Sequence, residues 1–205
     1  MLNKARIAVM VSGGGTNLQA LIDAQTAGVI KSGEIVLVLS NKPDAYALTR
    51  AKNAGIEALV VNKKECSDRA EFEGRITEIL DEKNIDVIVL AGFMCILSAD
   101  FTSHYRDRII NVHPSLIPAF CGEGYYGLKV HEAALKYGVK VSGATVHIVN
   151  EIPDGGRILM QRAVEVLDGD TPESLQRRIM EEAEWKILPL SCELICKQIT
   201  EEKEK

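Results

Sequence analysis

The sequence predicts an α/β fold: an open, mostly parallel, doubly wound sheet with an antiparallel C-terminal edge and a long C-terminal helix. Three observations predict it. Short, almost wholly apolar runs recur up to Val112, as strands buried on both faces do. Stretches with apolar residues at period 3.6 separate them. Beyond Val112 the pattern changes to two β-rich stretches joined by a turn-rich heptapeptide. Strand and helix alternating in this way is the signature of parallel βαβ units.

The elements follow in order. Arg6–Val11 is the first apolar run and meets Ser12-Gly13-Gly14-Gly15 directly. It reads as a buried strand, since a signal peptide or membrane span would be longer. Thr16–Thr26 places Leu18, Leu21 and Ile22 on one helical face. Glu34–Ser40 is a second strand, Ala45–Asn53 a helix and Ala58–Val61 a short strand. A third helix opens at Ser67 and runs to about Glu82. Asp86–Ala91 and Arg108–Val112 are the fourth and fifth strands. His131–Tyr137 is a short helix. Val139–Val149 and Arg157–Val166 form the antiparallel edge around the turn Asn150–Gly156. A long helix starts at Thr171-Pro172-Glu173, capped by Thr171 or Asp170, and is expected to bend near Pro189.

The chain has 205 residues, 46% of them hydrophobic, which suits one domain over 1–200, with a charged tail at 201–205 expected to fray. Its net charge of −5 argues against a nucleic-acid partner, which calls for clustered Lys and Arg. No run approaches a membrane span, so no membrane partner is expected. Five cysteines, an odd number without a CxxC pair, suit a reduced cytoplasmic chain. Cys192 and Cys196, four apart on a helix, read as core residues ahead of a metal pair.

In open α/β sheets ligands sit at the carboxyl ends of the strands, and the unusual residues of this chain cluster there. Ser12–Asn17 joins the first strand to the first helix. Its glycines allow close backbone approach, and the helix start offers free N–H groups and a positive dipole end. That suits one phosphate; a tight turn capped by Thr16 or Asn17 would read the same way. A dinucleotide loop would need glycine at Leu18 and an acid after Ser40-Asn41; a nucleotide-triphosphate loop would need Gly-Lys. Asn111 and His113 are two apart on a strand and share a face, and Pro114 ends the pairing. An amide donor beside an imidazole equips a site to stabilise an oxyanion and move a proton. A capping Asn and a structural His would give the same spacing. Asp154, in a DGG turn, is the candidate carboxylate expected to raise the histidine's pKa and keep it charged. No nucleophile with a protease or hydrolase context stands nearby. A substrate amine is therefore the expected nucleophile, since an α-amino group has a useful neutral share at pH 7.

These stretches also carry a resemblance. Ser12–Gln19 (SGGGTNLQ), Ala91–Ser98 (AGFMCILS), Asn111–Pro118 (NVHPSLIP), Asp154-Gly155-Gly156 and Glu184 before Ile187-Leu188-Pro189 occur in this order in the phosphoribosylglycinamide formyltransferase family. The chain resembles that family over essentially its whole length. The resemblance implies the Rossmann-like formyltransferase fold and folate-dependent formyl transfer in purine biosynthesis. The co-substrate would be 10-formyltetrahydrofolate and the acceptor glycinamide ribonucleotide, with no metal and no nicotinamide. It assigns Asn111, His113 and Asp154 to catalysis and Gly15, Thr16, Asn17 and Glu184 to the ribonucleotide. It assigns Arg69, Met94, Cys95, Ile96 and Leu97, with Asn111, to the folate. Both partners would be small molecules, and the protein a monomer or homodimer. Three departures stand out: Cys95 where many members carry arginine, Arg157 after DGG where proline is common, and a longer segment at Ala119–Leu128. A formyltetrahydrofolate hydrolase would be expected to carry an N-terminal domain, for which a strand starting at residue 6 leaves no room. A methionyl-tRNA formyltransferase would be expected to carry a further C-terminal domain and a basic surface. A non-catalytic folate- or nucleotide-binding module would keep the glycine loop without the chemistry. His147 reads as a satisfied sheet residue.

Overall fold

In a computed structural model of the chain, residues 4–203 are described. Seven strands form one sheet in the order β3-β2-β1-β4-β5-β6-β7. They are β1 (Ala5–Val11), β2 (Gly33–Ser40), β3 (Glu57–Val60), β4 (Val87–Leu90), β5 (Ile109–His113), β6 (Val141–Ile148) and β7 (Ile158–Glu165). The first five are parallel; β6 and β7 run antiparallel at the edge. Alternation along β1 shows why its whole run is apolar. Ile7, Val9 and Val11 enter one buried cluster; Ala8 and Met10 enter the other. Each large side chain buried this way stabilises the fold by about 2 kcal/mol.

Helices cover both faces. On the first lie α1 (Thr16–Thr26), α2 (Tyr46–Asn53), α5 (Leu128–Tyr137), α6 (Pro172–Ile179) and α7 (Trp185–Lys203). On the second lie α3 (Arg69–Glu82), through Phe72, Ile76 and Leu80, and α4 (Ala99–His104), through Phe101. Cys192 and Cys196 are fully buried core residues. No helix among the described residues is long and apolar enough to cross a membrane.

Two features differ from expectation, and two others complete the picture. Helix α4 has no counterpart in the sequence reading. It is six residues long, too short to show a period, and depends on Ser98, whose side chain accepts from the Phe101 N–H at 3.1 Å. The C-terminal helix is interrupted before Pro189, by a π-helical turn at Met180–Glu184. Pro189 is accommodated inside α7. Thr171 is the cap of α6, in a reciprocal pair with Ser174, while Asp170 instead binds Arg178. The charged tail is helical through Lys203, whose Nζ reaches Asp86 at 2.6 Å; residues 204 and 205 lie outside the described residues.

Candidate active site

Strand β1 lies between β2 and β4, so the chain changes winding direction there and opens a crevice at the carboxyl edge. The Ser12 hydroxyl accepts from the Met94 N–H at 2.8 Å, tying the loops after β1 and β4 together across it. Gly15 is the residue before α1, with φ 71°, and no side chain caps the helix. The capping roles open to Thr16 and Asn17 are therefore unfilled, and the first N–H groups of α1 lack a side-chain acceptor. A Cβ on Gly15 would lie 2.6 Å from that of Ala47, so the loop is packed as well as twisted. Arg50 holds the loop from behind, Nε donating to the Gly14 carbonyl at 2.8 Å. That cation on α2 had no signal in the sequence, since its contact is 36 residues away.

Asn17 and Glu184 meet, Nδ2 donating to Oε2 at 2.7 Å. The π turn carries Glu184 into the interior, where it is 6% exposed. Burial pushes its carboxyl up to about 7, against the pull of the Asn17 amide. Asn17 Oδ1 is buried without a partner among the described residues.

After β4, Phe93 and Leu97 turn inward, while Met94 and Ile96 stand more than half exposed at the crevice. Cys95 Sγ accepts from Asn41 Nδ2 at 3.1 Å. Arg69, in the first turn of α3, pairs with Glu73.

At the end of β5 the structure gathers the polar group. His113 Nδ1 lies 3.4 Å from Asp154 Oδ2, and Nε2 lies 2.9 Å from the Phe120 carbonyl. A carbonyl only accepts, so Nε2 carries a proton and Nδ1 is the nitrogen left for chemistry. Asp154 is held by the Gly122 N–H at 2.9 Å, and both of these backbone groups come from the Ala119–Leu128 segment. Asp154 raises the histidine's pKa, as the residue types led one to expect. Burial lowers the histidine's pKa by more than Asp154 and the Phe120 carbonyl raise it. The balance favours the neutral imidazole. Burial alone would raise the Asp154 carboxyl, but His147, His113 and the Gly122 N–H together hold it below the usual carboxylate range.

His147, read as a sheet residue, belongs to this group. Its Nδ1–H donates to the Ile148 carbonyl at 2.8 Å, leaving Nε2 to accept from Asn111 Nδ2 at 3.3 Å. Nε2 also lies 3.5 Å from Asp154 Oδ1. One amide hydrogen of Asn111 is therefore anchored and the other is free. The sequence signal available was register: β5 and β6 pair Asn111 with His147.

A broad groove of about 1130 Å³ lies at the opposite, amino ends of the strands, lined by Lys4, Arg6, Lys31, Asp86 and Lys203 among others; no candidate residue lines it. Among the described residues, no group of three or more His, Cys, Asp or Glu could hold a metal ion.

A switched α/β sheet with an amide, an imidazole and a carboxylate converging at its carboxyl edge defines a class of site equipped to stabilise an oxyanion and move a proton. Residues 5–191 match the formyl transferase family model. A phosphoribosylglycinamide formyltransferase of Haemophilus influenzae is 43% identical over 185 residues, covering 90% of this chain and 84% of that protein. The human trifunctional purine biosynthetic protein adenosine-3 is 45% identical over 192 residues; the match takes in 94% of this chain but 18% of the human protein's length. A glycinamide ribonucleotide transformylase from Symbiobacterium toebii superposes with a TM-score of 0.89 at 41% identity, over 95% of this chain and 89% of that one. A phosphoribosylglycinamide formyltransferase from Brucella melitensis gives 0.86 at 41%, over 95% and 96%. The chain belongs to the formyl transferase family.

Proposed function

We propose that the protein transfers the formyl group of 10-formyltetrahydrofolate to the amine of glycinamide ribonucleotide, in purine biosynthesis. The observation that carries this is the convergence of Asn111, His113 and Asp154 with no side-chain nucleophile assigned beside them. A relative of 43% identity that bears the name of this activity supports it.

The uncapped start of α1 at Gly15, Thr16 and Asn17 receives the substrate phosphate. Glu184 meets the amine or ribose beyond it. The folate lies along Met94–Leu97, its apolar ring against the exposed Met94 and Ile96, and its tail toward Arg69. The neutral amine attacks the formyl carbon, and the carbonyl π electrons move to oxygen. Asn111 donates its free amide hydrogen to that oxyanion. The nitrogen that attacked is now positively charged, and it gives a proton to His113 Nδ1, directly or through one water. The new imidazolium faces Asp154, which stabilises it. It then returns the proton to the folate nitrogen as the carbon–nitrogen bond breaks. The products are the formamide and tetrahydrofolate, and the enzyme ends as it began. Asp154 is thus a stabiliser of the charged histidine in the reaction, and not of a charged resting state.

Tetrahydrofolate release is measured with and without glycinamide ribonucleotide. Release that requires the ribonucleotide supports the transfer. Equal release without it makes water the acceptor, and a hydrolase reading replaces this one. Binding of both ligands without release leaves a non-catalytic module.

A further inference from the structure

Glu73 is a buried carboxylate that the chemistry above does not use; it is 7% exposed. A carboxylate withdrawn from water is costly unless donors meet its oxygens. Three do. Ser98 donates its N–H to Oε1 at 2.9 Å and its hydroxyl to Oε2, and Arg69 Nε donates to Oε1 at 2.9 Å. Arg69 and Glu73 are one helical turn apart on α3 and so share a face. Ser98 closes the Met94–Leu97 loop and starts α4. One carboxylate thus joins the far end of that loop to the first turn of α3.

Arg69 gives only its Nε to Glu73. Its two terminal nitrogens have no hydrogen-bond partner among the described residues, and its side chain is half exposed. The loop itself holds no cation, because position 95 is a cysteine whose sulfur is taken up by Asn41. Arg69 is therefore the guanidinium held against this loop, with a free two-pronged edge of the kind that grips carboxylates.

Resting on the reading that Arg69 and Met94–Leu97 receive the folate, we infer that Glu73 is a positioning residue that sets specificity for a donor with an acidic tail. Through Ser98 and Arg69 it fixes where the guanidinium stands relative to the ring-binding loop. The test compares 10-formyltetrahydrofolate with the primary amide of 10-formyltetrahydropteroate, which lacks the glutamate and carries no carboxylate, on the full chain and its E73Q, S98A and R69A variants. E73Q should raise KM for the glutamate-bearing donor about tenfold, the loss of one charge-assisted hydrogen bond. It should leave kcat and the ribonucleotide KM within about twofold, and the tail-less donor unaffected. S98A should shift the same preference less; if E73Q does not fold, S98A decides. An equal rise for both donors, or a fall in kcat alone, means general support of the loop and overturns the inference. An intact preference in R69A overturns it too, while ribonucleotide-dependent turnover by the unaltered protein keeps the proposed function standing.

Discussion

In the proposed reaction His113 works with one nitrogen, because the Phe120 carbonyl holds the other. Its neutral form is the one needed to take the amine's proton. Activity should therefore fall as the pH drops through its pKa, which burial has set below 6.5. His113→Ala and Asp154→Asn should each lower kcat by roughly 10²- to 10⁴-fold while both ligands still bind by calorimetry. Near-normal turnover in both variants would refute the mechanism. Asp154→Asn carries a second expectation. The carboxylate raises the histidine's pKa, so its removal should move the acid limb of the residual kcat/KM profile to lower pH. A limb that moves up shows that another group controls it. His147→Ala frees the anchored hydrogen of Asn111 and should lower kcat about tenfold, the scale of one lost orienting hydrogen bond. An unchanged rate would remove His147 from the positioning of Asn111.

At the scale of elements, the turn between β6 and β7 places Asp154 through its glycines. A Cβ on Gly156 would collide with the Ile148 carbonyl oxygen, and one on Gly155 would lie 2.6 Å from Ile152 Cγ2. The DGG motif is thus a packing requirement that sets a carboxylate. Gly156→Ala should shift this turn and lower kcat by about an order of magnitude or more, with the protein still folded by circular dichroism. Full activity would show the turn can yield without moving Asp154. The π turn at Met180–Glu184 does similar work. An extra residue in the helix carries Glu184 inward to Asn17 where a regular helix would sweep past.

For the whole molecule, two buried groups make stability depend on pH with opposite signs. His131, on α5, is fully buried with neither ring nitrogen partnered among the described residues, and burial lowers its pKa to about 4. The unfolded chain protonates this histidine near 6.5 and the folded one does not. Stability is lost as pH falls from about 6.5 toward 4, by roughly 3 kcal/mol at full extent. Glu184 has the opposite sign. Its carboxyl is raised to about 7, so its burial is free below its unfolded value and becomes destabilising as pH rises toward 7, by a similar amount. The two trends oppose each other between about 4.5 and 6.5 and nearly cancel, so thermal melting of the unaltered protein should be almost level there. Glu184→Gln should leave a melting temperature that rises with pH over this interval, and His131→Leu one that falls. A level profile in either variant would contradict the burial argument for the group that remains.

The sequence alone determined the alternation of strand and helix, because runs buried on two faces must be apolar throughout and no other element reads that way. It determined the glycine loop and the pairing of Asn111 with His113, since both depend on neighbours within a few residues. It did not reveal α4, whose single turn and a half carries no period, nor the π turn, which leaves no compositional trace. Contacts between distant residues were decided by the tertiary structure. Asp154 reaches His113 from 41 positions along the chain only because β6 returns beside β5, and His147 joins Asn111 by that same register. The balance of effects on the His113 pKa was decided there as well. A carboxylate partner can be inferred from residue types, but the burial that outweighs it depends on how the Ala119–Leu128 segment closes over the ring, and only the packed fold sets that.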